Sequence, residues 1–227
     1  MKVVVLIPAF NVEQQIGPLI RQIKSHLSEV VVVDDGSADD TAERAKEAGA
    51  VVLRHTENLG KGKAIQTGIQ YVLTLDVQGC LLLDGDGQHS PEDIPVFLQA
   101  ASEGADVVLG NRMGRSRQIP WLRRWTNRAM SFIVSRLIKT DIPDTQCGFR
   151  LIRRGILSKL KLEASRFEID SEILVEISRH PCRIVSVPIR VLYQGEKSAI
   201  RPIRDTRRFF AYLFHVMKRK KTDGSKP

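Results

Sequence analysis

The sequence predicts an α/β fold in which a mostly parallel central sheet is flanked by helices. Apolar runs of about four to six residues alternate with amphipathic stretches of about 10 to 15 residues between Val3 and Leu109. This alternation is typical of parallel strands joined by crossover helices. Glycine, asparagine and aspartate gather where the apolar runs end, and that edge of an open α/β sheet is where ligands bind.

The first half of the chain is expected to contain five strands, each followed by a polar loop. The apolar runs that predict them are Val3–Ile7, Val30–Val33, Ala50–Arg54, Leu81–Leu83 and Asp106–Leu109. Asn11 and Ser37 precede helical stretches and are expected to be their N-caps, and Ser90 with Pro91 is expected to open another helix. Gly49 is expected to end the second helix.

In the second half of the chain, strands and helices no longer alternate regularly. A helix is expected after Pro120, a strand near Phe149–Ile152, a helix over about 170–179 and a strand over 184–191. Pro188 predicts that this last strand lies at a sheet edge or carries a bulge. The chain is divided into a catalytic domain over 1–203, a basic amphipathic helix over 204–221 and a polar tail over 222–227.

The composition of the 227 residues, with 42% apolar and 27% charged side chains, is that of a globular domain. No run reaches the ~18 apolar residues that a membrane-spanning helix needs. We therefore expect a cytoplasmic protein. The three cysteines are odd in number and scattered, which favours neither a disulfide framework nor a zinc site.

Charge is unevenly distributed along the chain. Residues 1–110 carry 8 Lys and Arg against 16 Asp and Glu, whereas residues 111–166 carry 14 against 3. Such asymmetry indicates a nucleic acid, an anionic membrane surface or a phosphorylated substrate as a partner. A solvated basic face remains the alternative.

The segment Asp84-Gly85-Asp86-Gly87-Gln88 is the strongest candidate for a metal site. Two carboxylates one residue apart, with an amide oxygen two positions later, suit a hard divalent cation whose coordination is completed by substrate phosphates. A Gly-Asp turn is the alternative interpretation. The next residue, His89, is expected to be solvated, because a hard cation prefers oxygen ligands.

Four successive strand ends carry polar or small residues, and this recurrence predicts a composite nucleotide site. The four segments are Pro8–Asn11, Asp34–Ser37, Asn58–Lys63 and Asp84–Gln88. The dinucleotide fingerprint G-x-G-x-x-G does not follow the first strand, and the glycine-lysine segment lacks the Ser or Thr of a phosphate-binding loop. Both common nucleotide folds are therefore disfavoured.

The chain resembles the inverting family 2 glycosyltransferases, and among them the dolichyl- and polyprenyl-phosphate mannose and glucose synthases. The resemblance rests on six ordered segments: IPAFN, VVVDDGSADDT, NLGKGKA, LLLDGDGQHSPEDI, VVLGNR and DTQCGFRLI. It covers about residues 3–205 and implies a GT-A fold. It also implies a nucleoside-diphosphate sugar donor, Mg²⁺ or Mn²⁺ as cofactor, and a polyprenyl phosphate acceptor at the membrane.

The resemblance implies a role for each matching residue. The implied donor contacts lie at the first four strand ends: Pro8, Ala9, Phe10, Asn11, Glu13, Val33, Asp35, Lys63, Asp84, Gly85, Asp86 and Gln88. Of these, Asp86 and Gln88 are the implied metal ligands. Val12 stands where the family has a glutamate, so Glu13 is the candidate replacement.

Phosphate contacts are implied for Arg112, Arg123 and Lys197, and Asp170 matches an acidic position of the glucose-type relatives. The candidate catalytic residues are thus Asp86, Arg112, Arg123 and Asp170. A solvated arginine face is the alternative for Arg123.

The acceptor determines whether a base is needed. A hydroxyl acceptor must lose a proton, and Asp170 would be the candidate base. A lipid phosphate is already largely dianionic at neutral pH and needs no strong base. The favoured function is therefore transfer of one sugar to a polyprenyl phosphate; the alternatives are a hydroxyl acceptor in cell-envelope polysaccharide synthesis and a non-catalytic nucleic-acid-binding protein.

The C-terminal helix carries an apolar face followed by Lys218–Lys221. Such a helix can lie in a bilayer interface, and a peripheral membrane location is expected. Packing on the catalytic domain and binding to a membrane partner subunit are the alternatives. No nucleic acid is expected as a partner.

Overall fold

The described part of the chain is built on one mixed seven-stranded sheet. The computed structural model describes residues 1–113, 121–190 and 192, with the backbone alone for 121–126. The strands are β1 (Val3–Ala9), β2 (Glu29–Asp34), β3 (Val51–Arg54), β4 (Gly79–Leu82), β5 (Val107–Asn111), β6 (Arg150–Arg153) and β7 (Ile184–Pro188). Their order across the sheet is β3-β2-β1-β4-β6-β5-β7. β6 runs antiparallel to β4 and β5, and the other pairings are parallel.

Helices connect these strands. They are α1 (Glu13–Lys24), α2 (Thr41–Glu47), α3 (Lys61–Val72), α4 (Ile94–Ser102), α5 (Trp121–Ile138), α6 (Arg154–Leu157) and α7 (Ile169–Ile177), and a 3₁₀ turn over Pro91–Asp93 leads into α4. Within 1–113, 121–190 and 192, no helix combines the length and the hydropathy needed to cross a bilayer.

β1 lies in the interior of the sheet because its apolar run is covered on both faces. The side chains of Val4, Val5, Leu6 and Ile7 are fully buried, and α3 packs against this strand. A strand buried on both faces reads as a continuous apolar run rather than as an alternating one. Elsewhere in the core, Phe97 of α4 stacks on Phe149 with ring centroids 4.2 Å apart.

The predicted N-caps at Asn11 and Ser37 are wrong. α1 begins at Glu13 and α2 at Thr41, without a side-chain hydrogen bond from either predicted cap. Instead, the backbone N–H of Asn11 donates to Ser37 Oγ at 2.9 Å, and Asn11 Oδ1 accepts from the N–H of Ala38 at 2.9 Å. The two residues tie the loops after β1 and β2 to each other rather than to their own helices.

Ser90 also makes no side-chain cap, although Pro91 does begin a helical turn. Gly49 follows α2 with φ +83°, which confirms the predicted helix end. β7 is one of the two edge strands of the described sheet, in agreement with the prediction from Pro188.

The antiparallel strand β6 has a consequence for the site. Because Leu82 pairs with Arg150, the loop that enters β6 lies at the same sheet edge as the loop that leaves β4. Residues separated by more than 60 positions are thereby brought together. The compact unit that contains the described residues ends at Gln194, and the predicted segments 204–221 and 222–227 lie outside the described residues.

The start of α3 requires a close approach that a side chain would prevent. A Cβ atom at Gly62 would overlap the backbone carbonyl of Ala164, whereas one at Gly155 would meet nothing. We expect Gly62→Ala to lower the free energy of unfolding by about 1–3 kcal/mol despite the higher helix propensity of alanine. Urea denaturation measures this loss, and Gly155→Ala is the control, with an expected change of at most about +1 kcal/mol. Equal stability of the two variants would contradict the packing at Gly62.

Candidate active site

Four polar loops meet at one edge of the sheet. β3, β2, β1 and β4 are neighbours and run parallel, so their carboxyl ends lie side by side. The predicted juxtaposition of the four strand ends is confirmed. We call this edge of the sheet the cleft. It is lined by residues from the loops after β1, β2, β3 and β4.

The loop after β1 exposes one aromatic side chain. Phe10 is 45% exposed, while Ala9 before it is buried. Glu13 Oε2 accepts the backbone N–H of Asp40 at 3.0 Å, so this candidate residue braces the loop before α2. Of the implied donor contacts in this loop, Phe10 and Asn11 are exposed.

Asp35 holds the loop between β3 and α3. Its carboxylate accepts the N–H of Leu59 at 3.0 Å and that of Gly60 at 2.7 Å, and it lies 2.7 Å from His55 Nδ1. The residue is 2% exposed. Both oxygens are thus engaged within the protein. The side chain of Val33 is fully buried in the sheet, so its implied contact with the donor stays a prediction that only its backbone could fulfil.

A largely buried lysine joins two carboxylates in the middle of the cleft. Lys61 Nζ lies 2.7 Å from Asp84 Oδ1 and 2.9 Å from Asp170 Oδ2. Burial alone would lower the pKa of Lys61, but Asp170 and Asp84 outweigh it and raise that pKa above its ordinary value. The ammonium connects the start of α3, the loop after β4 and the start of α7.

Asp84 is held ionised by these neighbours. Burial would raise the pKa of its carboxyl, but Lys61 and His89 outweigh burial and keep that pKa well below its usual range. His89 Nε2 lies 3.7 Å from Asp84 Oδ2. A Cβ atom at Gly148 would overlap the same carboxylate, so only a glycine fits where the loop before β6 passes Asp84.

The expectation of a solvated His89 is wrong. The residue is 3% exposed, and its ring lies against Phe149 with centroids 5.5 Å apart. Its Nδ1 atom has no hydrogen-bond partner among the described residues. His89 therefore packs beneath the loop after β4 and supports Asp84 from the core side.

Asp86 and Gln88 are partly buried, as Asp84 is. Asp86 Oδ1 accepts the backbone N–H of Gln88 at 3.0 Å. Burial raises the pKa of Asp86, and the nearby charge of Asp84 raises it further. None of the ion pairs within the described residues includes Asp86, so it is a carboxylate to which a cation would be favourable.

The donor set in this loop fits a particular kind of metal ion. Among the described residues, no group of three or more His, Cys, Asp or Glu side chains is placed to hold one. The implied ligands Asp86 and Gln88 offer oxygen atoms, which suit Mg²⁺ or Mn²⁺. They fit an ion that takes few protein ligands and completes its shell with water and phosphate oxygens.

Arg112 projects from the end of β5 and is fixed by a bidentate ion pair. Its Nε and Nη2 atoms donate to the two oxygens of Asp144 at 2.7 and 2.9 Å, and its backbone N–H donates to Asp144 Oδ2 at 3.1 Å. The Asp144 side chain is fully buried. Burial would raise the pKa of Asp144, but the hydrogen bonds from Arg112 lower it. The guanidinium is therefore held in one orientation and stays charged.

A second arginine, Arg150, holds the loop before β6 through hydrogen bonds to its backbone. Arg150 is 1% exposed and donates to the backbone carbonyls of Cys147, Thr145 and Asp170 at 2.7, 2.9 and 2.6 Å. A buried guanidinium is tolerated because these acceptors replace water. It holds the loop before β6 against the start of α7.

The implied ligand contacts of Lys63, Arg123 and Lys197 stay predictions. Lys63 is exposed and donates to Gln66 Oε1 at 3.0 Å. The N–H groups of Gly62 and Lys63 donate to the Ser165 carbonyl at 2.9 and 3.3 Å, so this part of the α3 N-terminus is occupied by protein. The side chain of Arg123 in α5 and all of Lys197 lie outside the described residues.

The sequence pattern described as "Glycosyl transferase family 2" matches residues 4–161, which include every strand that contributes to the cleft. The chain belongs to glycosyl transferase family 2. The predicted family is confirmed, and the chain is a glycosyltransferase.

Named relatives of this family 2 glycosyltransferase support the finer resemblance. A UDP-N-acetylglucosamine–dolichyl-phosphate N-acetylglucosaminyltransferase of Methanococcus voltae is 28% identical over 83% of this chain and 84% of that protein. A dolichol-phosphate mannosyltransferase of Pyrococcus furiosus is 30% identical over 99% of this chain and 65% of that protein. The chain is thus similar to transferases whose names include a dolichyl phosphate.

A solved structure establishes the fold independently of the sequence pattern. The glucosyl-3-phosphoglycerate synthase from Mycobacterium tuberculosis, crystallised with Mn²⁺, UDP and phosphoglyceric acid, superposes with a TM-score of 0.70. The two are 21% identical over 94% of this chain and 78% of that one. This likeness confirms the predicted GT-A fold of the family 2 glycosyltransferase.

Sequence reasoning missed two residues that organise the cleft. Lys61 lies in the glycine-lysine segment, in which the resemblance implies a ligand contact for Lys63 rather than for Lys61. Only the position of Asp170, 109 residues later, distinguishes the two lysines. Asp144 begins the recognised segment before β6, yet nothing local indicates that it pairs with Arg112.

Removal of the Lys61 ammonium should destabilise the family 2 glycosyltransferase far more than removal of its neighbour. Lys61→Met removes the nearest cation from buried Asp170 and partly buried Asp84, so we expect a loss of about 3–5 kcal/mol in the free energy of unfolding at pH 7. Lys63→Met removes an exposed ammonium and should change stability by at most about 0.5 kcal/mol. Denaturant unfolding of both variants measures the difference. Similar stabilities would show that Lys61 does not bridge the two acids.

Proposed function

We propose that this enzyme transfers a single sugar from a UDP- or GDP-linked donor to a polyprenyl or dolichyl phosphate at the cytoplasmic face of the membrane. The proposal rests on the observation that most acids in the cleft are paired with cations. Asp84 and Asp170 share the ammonium of Lys61, and Asp144 is paired with Arg112. A hydroxyl acceptor needs a carboxylate that acts as a base, and these carboxylates are already paired with cations. A phosphate acceptor needs no such base.

The acceptor chemistry agrees with this arrangement. A lipid phosphate has a second pKa of about 6, so at neutral pH it carries the negative charge with which it can attack the anomeric carbon. The residues near it then have to orient an anion and offset its charge. Arg112, fixed by Asp144, is suited to this role because a guanidinium binds phosphate oxygens in a bidentate manner.

The donor side is assigned to the loop after β4. Asp86 and Gln88 would hold Mg²⁺ or Mn²⁺, and the bound ion would offset the charge that develops on the departing diphosphate. Asp84 would face the donor, held ionised by Lys61. Phe10, which is exposed directly after β1, would contact the nucleotide base.

The membrane assignment rests on the acceptor and on the sequence beyond the described residues. Both named relatives carry a dolichyl phosphate in their names. The basic amphipathic segment 204–221 would hold the enzyme at the membrane surface, directly or through a membrane partner subunit. We therefore propose a peripheral membrane enzyme that acts in the cytoplasm and does not bind nucleic acid.

The proposal is tested by transfer of labelled sugar to polyprenyl phosphate in detergent. A panel of UDP- and GDP-sugars with Mn²⁺ should contain at least one donor that gives a lipid-linked product. Asp86→Asn should lower that rate by about 100-fold or more, because the interaction with the metal contributes several kcal/mol to the transition state. Asp76→Asn, an exposed acid outside the cleft, is the matched control and should retain full activity. Full activity of Asp86→Asn would refute the assignment of this loop.

Replacement of Asp170 distinguishes a phosphate acceptor from a hydroxyl acceptor. Asp170→Asn keeps an oxygen that can accept from Lys61 but removes any function as a base. For a phosphate acceptor we expect the transfer rate to fall by less than about tenfold. Loss of a general base would lower it by about 10²–10⁴-fold while donor hydrolysis persists, and this outcome would favour the hydroxyl acceptor.

A further inference from the structure

A line of basic and aromatic side chains runs along the exposed face of α5. Arg128, Phe132 and Arg136 follow one another at intervals of four residues, so they lie on one side of the helix, and Lys139 is the first residue after the helix and lines the same groove. All four are exposed, and Phe132 is 63% exposed. We call these four residues the α5 stripe.

The α5 stripe borders a groove of about 650 Å³ whose other wall is formed by residues 140–143. The guanidinium of Arg136 lies 5.4 Å from the centre of the Phe132 ring. Three cations and Asp141 line the groove, which leaves a net charge of +2. No ion pair to these cations is found within the described residues. The groove thus combines unneutralised positive charge with an exposed apolar ring.

The side of α5 next to the stripe connects it to the catalytic cleft. Ser131 Oγ accepts the N–H of Thr145 at 3.0 Å, and Ser135 Oγ accepts that of Ile142 at 3.0 Å. Between these two anchor points lies Asp144, which orients Arg112. The wall of the groove and the support of the Arg112 guanidinium are therefore parts of the same short loop.

We propose that the α5 stripe docks on an anionic membrane surface. Phe132 would enter the boundary between headgroups and acyl chains, while Arg128, Arg136 and Lys139 would contact lipid phosphates. This inference rests on the proposed function, because docking through α5 would bring the Arg112 side of the cleft towards the bilayer that carries the acceptor. A membrane fits the stripe better than a nucleic acid does, since it offers hydrocarbon to the ring as well as phosphate to the cations.

The test is sedimentation of the full chain with vesicles. The vesicles contain phosphatidylcholine with or without about 30% phosphatidylglycerol. The variant Arg128→Gln/Arg136→Gln/Lys139→Gln should bind the anionic vesicles at least about tenfold more weakly than the wild type. The control Arg21→Gln/Lys46→Gln/Lys159→Gln removes the same charge from exposed positions outside α5 and should lose less than about threefold. An equal fall in the two variants would overturn the proposal, because net charge alone would then explain the binding.

Replacement of Phe132 provides a second, independent test of the docking proposal. Phe132→Ser should weaken binding to the anionic vesicles by about threefold or more, whereas Val96→Ser, an exposed apolar residue on α4, should leave it unchanged. Unchanged binding of Phe132→Ser would overturn insertion of the ring. Salt-sensitive binding of an oligonucleotide that the α5 variant loses, with vesicle binding retained, would overturn the choice of partner.

Activity in detergent separates this inference from the proposed function. The α5 variant should transfer sugar to detergent-solubilised polyprenyl phosphate at the wild-type rate, because the stripe acts only in docking. If the wild type forms no lipid-linked product, the proposed function fails whatever the vesicles show. If product forms but the α5 variant binds anionic vesicles like the wild type, the docking inference alone fails.

Discussion

The ion pair triad of Lys61, Asp84 and Asp170 is the interaction on which the cleft depends. It joins three elements that are remote in sequence: the start of α3, the loop after β4 and the start of α7. An exposed ion pair contributes at most about 1 kcal/mol, but loss of one member of a buried cluster costs about 3–5 kcal/mol. The neighbouring structure is built to allow this cluster: Gly62 lets the 164–165 segment approach α3, and Gly148 leaves room for Asp84.

The same triad restricts the chemistry of the cleft. It neutralises two of the acids that could otherwise act as bases, and Arg112 neutralises a third in Asp144. Asp86 is left without an ion pair among the described residues, beside the amide of Gln88. A cleft with one carboxylate for a cation and a fixed guanidinium for an anion is suited to a phosphorylated donor and a phosphorylated acceptor.

The sequence was sufficient for the features that repeat along the chain. The alternation of apolar runs and helices predicted the parallel half of the sheet, and the four polar strand ends predicted where the cleft lies. The motifs from IPAFN to DTQCGFRLI predicted the family. These inferences succeed because strand direction and the order of crossovers follow from local pattern and from few topological rules.

The features that the sequence did not predict correctly depend on contacts between residues that are distant along the chain. Lys61 and Lys63 have the same local sequence environment, and only Asp170 makes one of them central. Asn11 and Ser37 have the composition of helix caps, but each bonds to the loop of the other. His89 follows a polar loop, yet the antiparallel strand β6 places Phe149 against its ring. None of these partners can be read from the residues near it in the chain.

The central claim is that the nucleophile is a lipid phosphate, and it is tested most directly by comparing two acceptors of equal chain length. The enzyme is incubated with its donor, Mn²⁺ and either a polyprenyl phosphate or the corresponding polyprenol, and lipid-linked sugar is measured. The account predicts product with the phosphate and none above background with the alcohol. Equal transfer to the alcohol, or no product with the phosphate for any UDP- or GDP-sugar, would contradict it.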